Sequence, residues 1–380
     1  MKIARAFQEN PDFEYLRKVI MRETQSGPVP IIELMVDPEI MAEATGMDFP
    51  ADQYAEVVNL LGAGRGMTRD QALIGLKFLE LTFAFHNLVG YDYLLTFPTF
   101  SVPMPLRHGR ENPAQQDKKR YWQEEHAAML TSREQFEKFR WPKPGEVFMF
   151  PLDYAAGKMK PGMKVLPFFP GIFENLRALM GYETLAIKSI EEPELVSAIL
   201  QKLTDYFQAA MGKVAAHPAV GAVFYADDLG FNTGLMLSPK WMRDNLIPCE
   251  KKIADACHQH QKPFLFHSCG KIDAVMDDLI EVVKIDARHS FQDNAYPVEE
   301  QYRKYHERIA ILGGLDVDLL ARGTVEEVRQ RTRQILQFCS DGGYALGSGN
   351  SVTNFCRIEN YYAMLDETRK WNEEKGKRRN

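Results

Sequence analysis

The sequence predicts an α/β fold, and a (β/α)8 TIM barrel is the form that fits it best. From about residue 145 onward, short apolar segments rich in Val, Ile, Phe and Leu alternate with amphipathic segments of helical length. The short segments lack a regular alternation of apolar and polar positions, which is typical of parallel strands buried on both faces. A chain of 380 residues lies within the size range of such barrels with insertions.

The candidate strands share an apolar composition rich in β-branched and aromatic residues. They are Val29–Val36, Tyr93–Phe97, Val147–Pro151, Lys164–Phe169, Val220–Ala226, Pro263–His267, Val283–Ala287, Ile309–Gly313 and Tyr344–Gly347. These nine candidates are close to the number that an eight-stranded barrel needs. An open doubly wound sheet is the alternative, but no GxGxxG or GxxxxGK[ST] turn follows any of these strands.

Three predicted helices between the later strands carry recognisable start signals. Ser189–Gly212 begins with a serine, and Ser238–Gln259 begins with a serine followed by proline, a favourable N-cap and first turn. Thr324–Cys339 begins with a threonine that is followed three residues later by Glu327, a capping-box pattern. Strands that alternate with helices of this length favour parallel β/α units.

We interpret residues 1–380 as one barrel domain with an N-terminal extension and a helical insertion. The insertion is residues 106–145, which begin strongly polar and end in the aromatic segment Phe139-Arg140-Trp141-Pro142. It is expected to lie over the barrel mouth, with a solvated helical hairpin as the alternative.

Composition bears on three properties: nucleic-acid binding, membrane insertion and cellular location. Acidic residues outnumber basic ones by 52 to 46, the net charge is -6 and there is no long basic stripe, so a nucleic-acid partner is not expected. The apolar stretch 72–90 is interrupted by Lys77, Glu80 and His86 and indicates a buried helix rather than a membrane span. A charged N-terminus unlike a signal peptide and five cysteines, an odd number, favour a reducing, cytoplasmic location.

The most specific local feature is the strand Pro263–His267, which leads directly into His267-Ser268-Cys269. Residues two apart in an extended chain point to the same side, so His267 and Cys269 should converge at the carboxyl end of a strand. Barrel active sites are built at those ends, and imidazole with thiolate is a zinc donor pair. The alternative is a core histidine beside a packed cysteine.

A catalytic zinc site needs three protein ligands and one open position. Two residues are candidates for the third ligand: Cys356, beyond the last strand, and Glu33, on the first strand. For Glu33 the alternative is an ordinary paired or solvent-facing carboxylate.

Further candidate catalytic groups stand near strand ends. Asp227 and Asp228 end the hydrophobic run Val220–Ala226, and His289 follows the strand predicted at Val283–Ala287. Such groups orient a ligating histidine, hold substrate or move a proton. The alternative for the aspartates is that they cap a helix.

The last predicted strand ends in a loop that contains Ser348 and Asn350 beside glycines. Small residues there let backbone amides approach a ligand closely, so both are candidate substrate-binding residues. Most such loops are simple turns, which is the alternative.

These motifs, taken together and in this order, resemble the uroporphyrinogen decarboxylase superfamily. They are PFFPGIFENLRALMGYETLAI, ADDLG, LSPKWMRDNLIP, FHSCGKI, GGLDVDLLARGTVEEV and GGYALGSGNSV. The resemblance covers most of the chain after about residue 28 and implies a (β/α)8 barrel.

True uroporphyrinogen decarboxylases carry an early Arg-Gln-Ala-Gly-Arg segment that grips the carboxylates of their substrate. The corresponding residues here, 29–37, read VPIIELMVD and contain no arginine. A tetrapyrrole with many carboxylates would be poorly held without guanidinium groups, so the resemblance argues against that reaction.

The other branch of the superfamily, the cobamide-dependent methyltransferases, resembles this chain in its His-x-Cys element. That resemblance implies Zn²⁺, a corrinoid (cobalamin) carried by a separate partner protein, and methyl transfer. In the coenzyme M branch a third zinc ligand is a cysteine in the loop after the last strand, where this chain has Ser348. We therefore prefer an O-demethylase that cleaves a methyl ether, and Phe168 and Tyr225 would suit an aromatic substrate.

Three alternatives stay open. One is a methylcobamide:thiol methyltransferase. Another is a metal-free carboxy-lyase that acts on a carboxylated small molecule and uses Asp227 or His289 for the proton. The third is a catalytically silent barrel that binds a corrinoid protein. A membrane partner is not expected, and a homodimer is left open.

Overall fold

The computed structural model describes residues 10–62, 68–100, 102–103, 106–109, 120–123, 128–293 and 295–377. The strands in these ranges are β1 Tyr93–Thr96, β2 Thr99–Phe100, β3 Leu106–Gly109, β4 Arg120–Gln123, β5 Val147–Phe148, β6 Lys164–Pro170, β7 Val223–Ala226, β8 Gly230–Phe231, β9 Gly234–Leu235, β10 Phe264–His267, β11 Ala287–His289, β12 Ala310–Leu312 and β13 Tyr344–Ala345.

The α-helices of the same ranges are α1 Phe13–Ile20, α2 Pro38–Thr45, α3 Ala51–Gly62, α4 Arg69–Val89, α5 Arg133–Lys138, α6 Phe150–Ala156, α7 Ile172–Met180, α8 Tyr182–Glu191, α9 Pro193–Ala215, α10 Pro239–Trp241, α11 Ile247–His258, α12 Asp273–Asp278, α13 Val298–Tyr305, α14 Val317–Arg322, α15 Val325–Cys339 and α16 Ile358–Lys377. Two π-helical segments, Met242–Leu246 and Leu279–Val283, precede α11 and follow α12.

A curled sheet of seven parallel strands, in the order β1-β6-β7-β10-β11-β12-β13, forms the centre of the fold. Beyond β13, Ile31 and Val36 make isolated parallel bridges to Leu346 and Val352. The Glu33 backbone N–H donates to the Tyr93 hydroxyl of β1 over 2.7 Å, so the same segment also reaches the opposite edge strand. The predicted α/β fold of TIM-barrel type is confirmed, with the Ile31–Val36 segment in the place of an eighth strand.

Both faces of the central strands are buried, as their continuous apolar composition predicts. Every residue of β7 and of β10 is buried. Successive side chains alternate between the barrel interior and the helix layer. On β7, the Phe224 ring lies 5.6 Å from the ring of His289, whereas the next residue, Tyr225, packs against Phe264.

The helix start signals are confirmed for two of the three predicted helices. Thr324 caps α15 in a capping box with Glu327, and Ser238 accepts the Trp241 N–H at the start of α10. The helix predicted from Ser189 instead begins at Pro193, after α8 has ended at Glu191. Proline lacks the N–H that would continue α8 and fits the first turn of a new helix.

Two predicted strands are placed differently. Only Val147–Phe148 is extended in the first of them, and it pairs antiparallel with β2 outside the barrel sheet. In the second, predicted at Val283–Ala287, Val283 is the last residue of a π-helical segment. Lys284 then takes the left-handed conformation with φ 64°, and β11 begins only at Ala287. A short apolar run does not by itself distinguish a buried strand from the end of a buried helix.

The insertion predicted at 106–145 combines strands with a helix. β3 and β4 form an antiparallel pair, and α5 follows. Residues 110–119 and 124–127, and residue 105 just before the insertion, lie outside the described part of the chain. The position of the insertion over the barrel mouth therefore stays a prediction.

Helix α4 covers the apolar stretch that the sequence assigns to a buried helix. By length and composition alone it could cross a membrane, but core helices meet the same criteria. Leu81, Phe83 and Phe85 are buried, and α4 packs against α2, α3 and β1.

Candidate metal centre

Three potential ligands converge where β7 and β10 end. In the part of the chain that the structure describes, the side chains of Asp228, His267 and Cys269 form the one cluster of His, Cys, Asp or Glu groups that could hold a metal ion, with ligand atoms within 4.8 Å of one another. His267 is the last residue of β10 and lies in register with Ala226, the last residue of β7. Asp228 and Cys269 each lie two residues after one of these strand ends, so both are at the same carboxyl edge of the sheet.

The spacing of these atoms fits a tetrahedral cation such as Zn²⁺. His267 Nε2 lies 3.5 Å from Cys269 Sγ and 3.6 Å from Asp228 Oδ1. Zinc bonds of about 2.0–2.3 Å at tetrahedral angles would separate neighbouring ligand atoms by roughly 3.3–3.6 Å. One imidazole, one thiolate and one carboxylate is also a donor set that zinc accepts, and it leaves one position open.

The Cys269 sulfur is surrounded by hydrogen-bond donors. Asn350 Nδ2 lies 3.3 Å and Ser290 Oγ 3.7 Å from Sγ. Burial, followed by the Asp228 carboxylate, nevertheless raises the pKa of the Cys269 thiol well above its usual value. A thiolate at this position therefore needs a cation beside it, which fits a ligand role.

His267 is linked to a second buried histidine. Its Nδ1 atom lies 2.7 Å from Nδ1 of His289, and Nε2 of His289 lies 3.1 Å from the Ser348 carbonyl oxygen. Burial lowers the pKa of His267 to about 3 and that of His289 well below its usual value. Both rings are therefore neutral at pH 7, as metal ligation by His267 requires.

Glu33 lies behind Ser348 and outside the cluster of three ligands. Its carboxylate accepts the Ser348 N–H over 2.9 Å and contacts the Ser348 hydroxyl at 2.5 Å. Burial is the main cause that raises the pKa of Glu33 to about 8. The structure thus joins Glu33, Ser348 and His289 in one buried chain that leads to His267, without bringing Glu33 to the ligand atoms.

Asp227, predicted as a catalytic candidate, caps a helix in the structure, which is the alternative interpretation. Its carboxylate accepts the N–H groups of Phe173 and Glu174 over 2.9 and 2.7 Å, at the N-terminus of α7. A Cβ atom at Gly171 would overlap this carboxylate. Buried Glu250, which the sequence does not single out, lies beside Asp227, and burial raises the pKa of Glu250 well above its usual value.

Cys356 is also placed away from the ligand cluster. Its Sγ atom lies 3.6 Å from Thr353 Oγ1 and 4.0 Å from the Val317 carbonyl oxygen. The turn after Val352 keeps this thiol against α14.

The two predicted substrate-binding aromatics lie on different faces of the sheet. Tyr225 is fully buried and its hydroxyl accepts the Ile172 N–H over 2.9 Å, so it faces the helix layer and not the barrel interior. Phe168 is half-buried, in register with Phe224, and its ring lies 5.7 Å from that of Phe97. Phe224, missed in the sequence, is the β7 aromatic that faces the histidine pair.

The remaining predicted residues, Ser348, Asn350 and Asp228, lie in the ligand cluster or contact residues in it or beside it. Ser348 holds Glu33 and His289 through its N–H and its carbonyl group, and Asn350 donates to Cys269. Asp228, predicted as catalytic, supplies the third potential ligand. The signal that could have identified it is the pair Asp227-Asp228, because neighbouring side chains after a strand point to opposite sides.

The sequence pattern of the family described as Uroporphyrinogen decarboxylase (URO-D) matches residues 126–371. No curated protein sequence matches the chain. A solved methyltransferase from Methanosarcina mazei is similar in structure, with a TM-score of 0.68 and 13% identity over 95% of this chain and 99% of that chain. A B12-independent methionine synthase from Shewanella sp. W3-18-1 has a TM-score of 0.50 and 12% identity over 92% of this chain and 97% of that chain.

Proposed function

The chain belongs to the uroporphyrinogen decarboxylase family, and from this premise we propose that it is a zinc-dependent methyltransferase. It would move a methyl group between a small methylated substrate and the corrinoid of a partner protein. The observation that carries the proposal is the convergence of Asp228, His267 and Cys269 at the carboxyl edge of the barrel, at the spacing of zinc ligands.

Two features support methyl transfer over decarboxylation of a tetrapyrrole. The segment 29–37 contains no arginine, and its only carboxylate near the site, Glu33, is buried behind Ser348. Of the two solved structures named above, one is described as a methyltransferase and the other as a B12-independent methionine synthase. Both descriptions concern reactions in which a methyl group is transferred.

The chain's own residues prepare the site in three ways. Asp228, His267 and Cys269 would hold the zinc, which when bound supplies a Lewis acid for the substrate heteroatom that carries or receives the methyl group. Asn350 and Ser290 donate hydrogen bonds to the Cys269 sulfur. The half-buried ring of Phe168 offers an apolar surface in register with Phe224, which contacts His289.

A methyl ether, such as an aromatic one, is the substrate class that we favour. The ligand cluster contains one thiol and one carboxylate, and Ser348 stands where the resemblance to the coenzyme M branch implies a second cysteine. A carboxylate donates less electron density than a thiolate, so zinc in this set stays a stronger Lewis acid and suits an oxygen leaving group. The thiol-methylating version is the second candidate.

The test uses the zinc-loaded chain with free cob(I)alamin in place of the partner protein and methoxybenzene as the ether. Formation of methylcobalamin, followed by absorbance, is the expected result, and it should stop after zinc is removed by a chelator. Cys356→Ser serves as the matched control for Cys269→Ser, because both remove a thiol but only Cys269 lies in the cluster.

Other outcomes would change the assignment. Methylation of a thiol by methylcobalamin, with no reaction of the ether, would favour the thiol version. Release of CO2 from a carboxylated substrate that continues after chelation would replace the proposal with the metal-free carboxy-lyase. Binding of a corrinoid protein without turnover of any substrate would favour the silent barrel.

A further inference from the structure

His289 is completely buried, and both of its ring nitrogens are engaged. Nε2 lies 3.1 Å from the Ser348 carbonyl oxygen, and Nδ1 lies 2.7 Å from Nδ1 of His267. The two imidazole rings stack with centroids 5.0 Å apart. His289 itself does not belong to the cluster of potential ligands, whereas His267 presents its other nitrogen, Nε2, to Cys269 and Asp228.

These contacts determine which nitrogen of each ring carries hydrogen. The Ser348 carbonyl oxygen can only accept, so His289 Nε2 must donate. If Nδ1 of His289 also carried hydrogen, the ring would be a cation without exposed surface, next in the chain to the buried guanidinium of Arg288, an arrangement with a large desolvation cost. His289 Nδ1 therefore accepts, His267 Nδ1 donates, and the lone pair of His267 lies on Nε2.

We propose that His289 is a positioning residue that holds His267 in the tautomer whose Nε2 lone pair faces Asp228 and Cys269. This inference rests on the proposed metal site and concerns how the chain prepares it before a metal arrives. It also replaces the catalytic role predicted for His289, because the ring has no free nitrogen with which to exchange a proton with a substrate.

The carbonyl that orients His289 is itself held on several sides. Ser348 donates its N–H to Glu33, and the following residue, Gly349, donates its N–H to Leu315 over 2.6 Å. A Cβ atom at Gly313, where φ is +80°, would overlap the Ser348 carbonyl oxygen and press on the His289 ring. The chain from Glu33 through Ser348 to His289 is thus packed too closely for the imidazole to rotate.

The test compares two variants of nearly equal size. In His289→Asn the amide oxygen lies near the former Nδ1 position and accepts the His267 N–H, whereas His289→Leu removes that acceptor. Zinc affinity is measured by competition with a chromophoric chelator, and fold stability by thermal unfolding. We expect His289→Leu to bind zinc about 10-fold to 100-fold more weakly, and His289→Asn to stay within about threefold of the wild type.

The outcomes separate this inference from the proposed function. If the wild type binds no zinc, the metal site itself fails. If the wild type binds zinc and His289→Leu binds it equally well, the positioning role is overturned while the site stands. A purely structural role predicts that zinc affinity follows the melting temperature in both variants, without rescue by Asn.

A measurement on the metal-free wild type keeps the inference testable if His289→Leu does not fold. Proton–nitrogen correlation spectra of ¹⁵N-histidine-labelled protein report the tautomer of each ring, and the His267 signals are assigned by their loss in His267→Gln. Hydrogen on Nδ1 of His267 and on Nε2 of His289 is the expected pattern. Hydrogen on Nε2 of His267 would refute the proposal.

Discussion

The carboxylates of Asp227 and Asp228, neighbours in the chain, face different parts of the fold. Asp227 accepts two backbone N–H groups at the start of α7, whereas Asp228 Oδ1 accepts the Cys269 N–H over 2.8 Å and lies 3.6 Å from His267 Nε2. One carboxylate therefore stabilises a helix and the other belongs to the candidate metal centre.

This division predicts opposite effects for two similar substitutions. Asp228→Asn should weaken zinc binding by at least about tenfold and leave the fold intact, because it replaces a charged ligand at the edge of the barrel. Asp227→Asn should leave zinc binding unchanged but lower the free energy of unfolding by about 1–3 kcal/mol, since its amide nitrogen would face a backbone N–H. Equal effects of the two variants on zinc content would contradict the division.

Cys269→Ser should lower zinc occupancy while the circular dichroism spectrum stays that of the wild type. The thiol is a proposed zinc ligand and a serine hydroxyl is a poor zinc donor, whereas the volume of the side chain barely changes. Zinc content after dialysis measures the effect, with Cys356→Ser as the control. Global unfolding of Cys269→Ser would show instead that Cys269 has a structural role.

Glu33 should make the stability of the protein depend on pH. Its pKa in the folded state is about 8, compared with 4.5 for an ordinary glutamate. The folded state therefore keeps a proton that the unfolded state releases, so this stabilising contribution is complete below about pH 4.5 and is lost as the pH rises towards 8.

Glu33→Gln should remove this dependence, because glutamine does not titrate. Urea unfolding of both proteins at pH 5 and pH 8 measures the difference. The free energy of unfolding of the wild type should fall by a few kcal/mol more between pH 5 and pH 8 than that of the variant. The reason is that Glu33 contributes about 1.4 kcal/mol for each pH unit between its unfolded and folded pKa values. Identical pH profiles would show that Glu33 is ionised in the folded state.

Phe168 and Tyr225 should differ in their effect on substrate. Phe168→Ala is expected to raise KM for an aromatic methyl ether without loss of zinc, because Phe168 is half-buried and in register with Phe224. Tyr225→Phe should leave KM unchanged and lower the free energy of unfolding by about 1 kcal/mol, since its hydroxyl accepts the Ile172 N–H. A rise in KM for Tyr225→Phe alone would reverse this assignment.

The features that could be predicted from the sequence depend on short-range rules. Strand β10 ends at His267, where an apolar run meets a polar turn, and the two-residue spacing places Cys269 beside it. Capping residues such as Thr324 and Ser238 likewise act on the N–H groups of their own first turn. Both kinds of signal depend on residues that are close together in the chain.

The features that could not be predicted depend on contacts between distant segments. Whether Asp227 or Asp228 faces the helix layer depends on the position of α7, which precedes both in the chain. Cys356 and His289 have suitable chemistry, but one is held against Val317 and the other between Ser348 and His267. Their roles follow from packing that a pattern of residue types does not contain.

Elemental analysis of the purified protein, with His267→Ala as the control, shows whether the chain binds zinc through His267. We expect about one zinc ion per wild-type chain after reconstitution, the number for a single catalytic site, and its loss in the variant. A wild-type protein that holds no metal after reconstitution with Zn²⁺, or a variant that keeps as much zinc as the wild type, would contradict the metal centre at Asp228, His267 and Cys269.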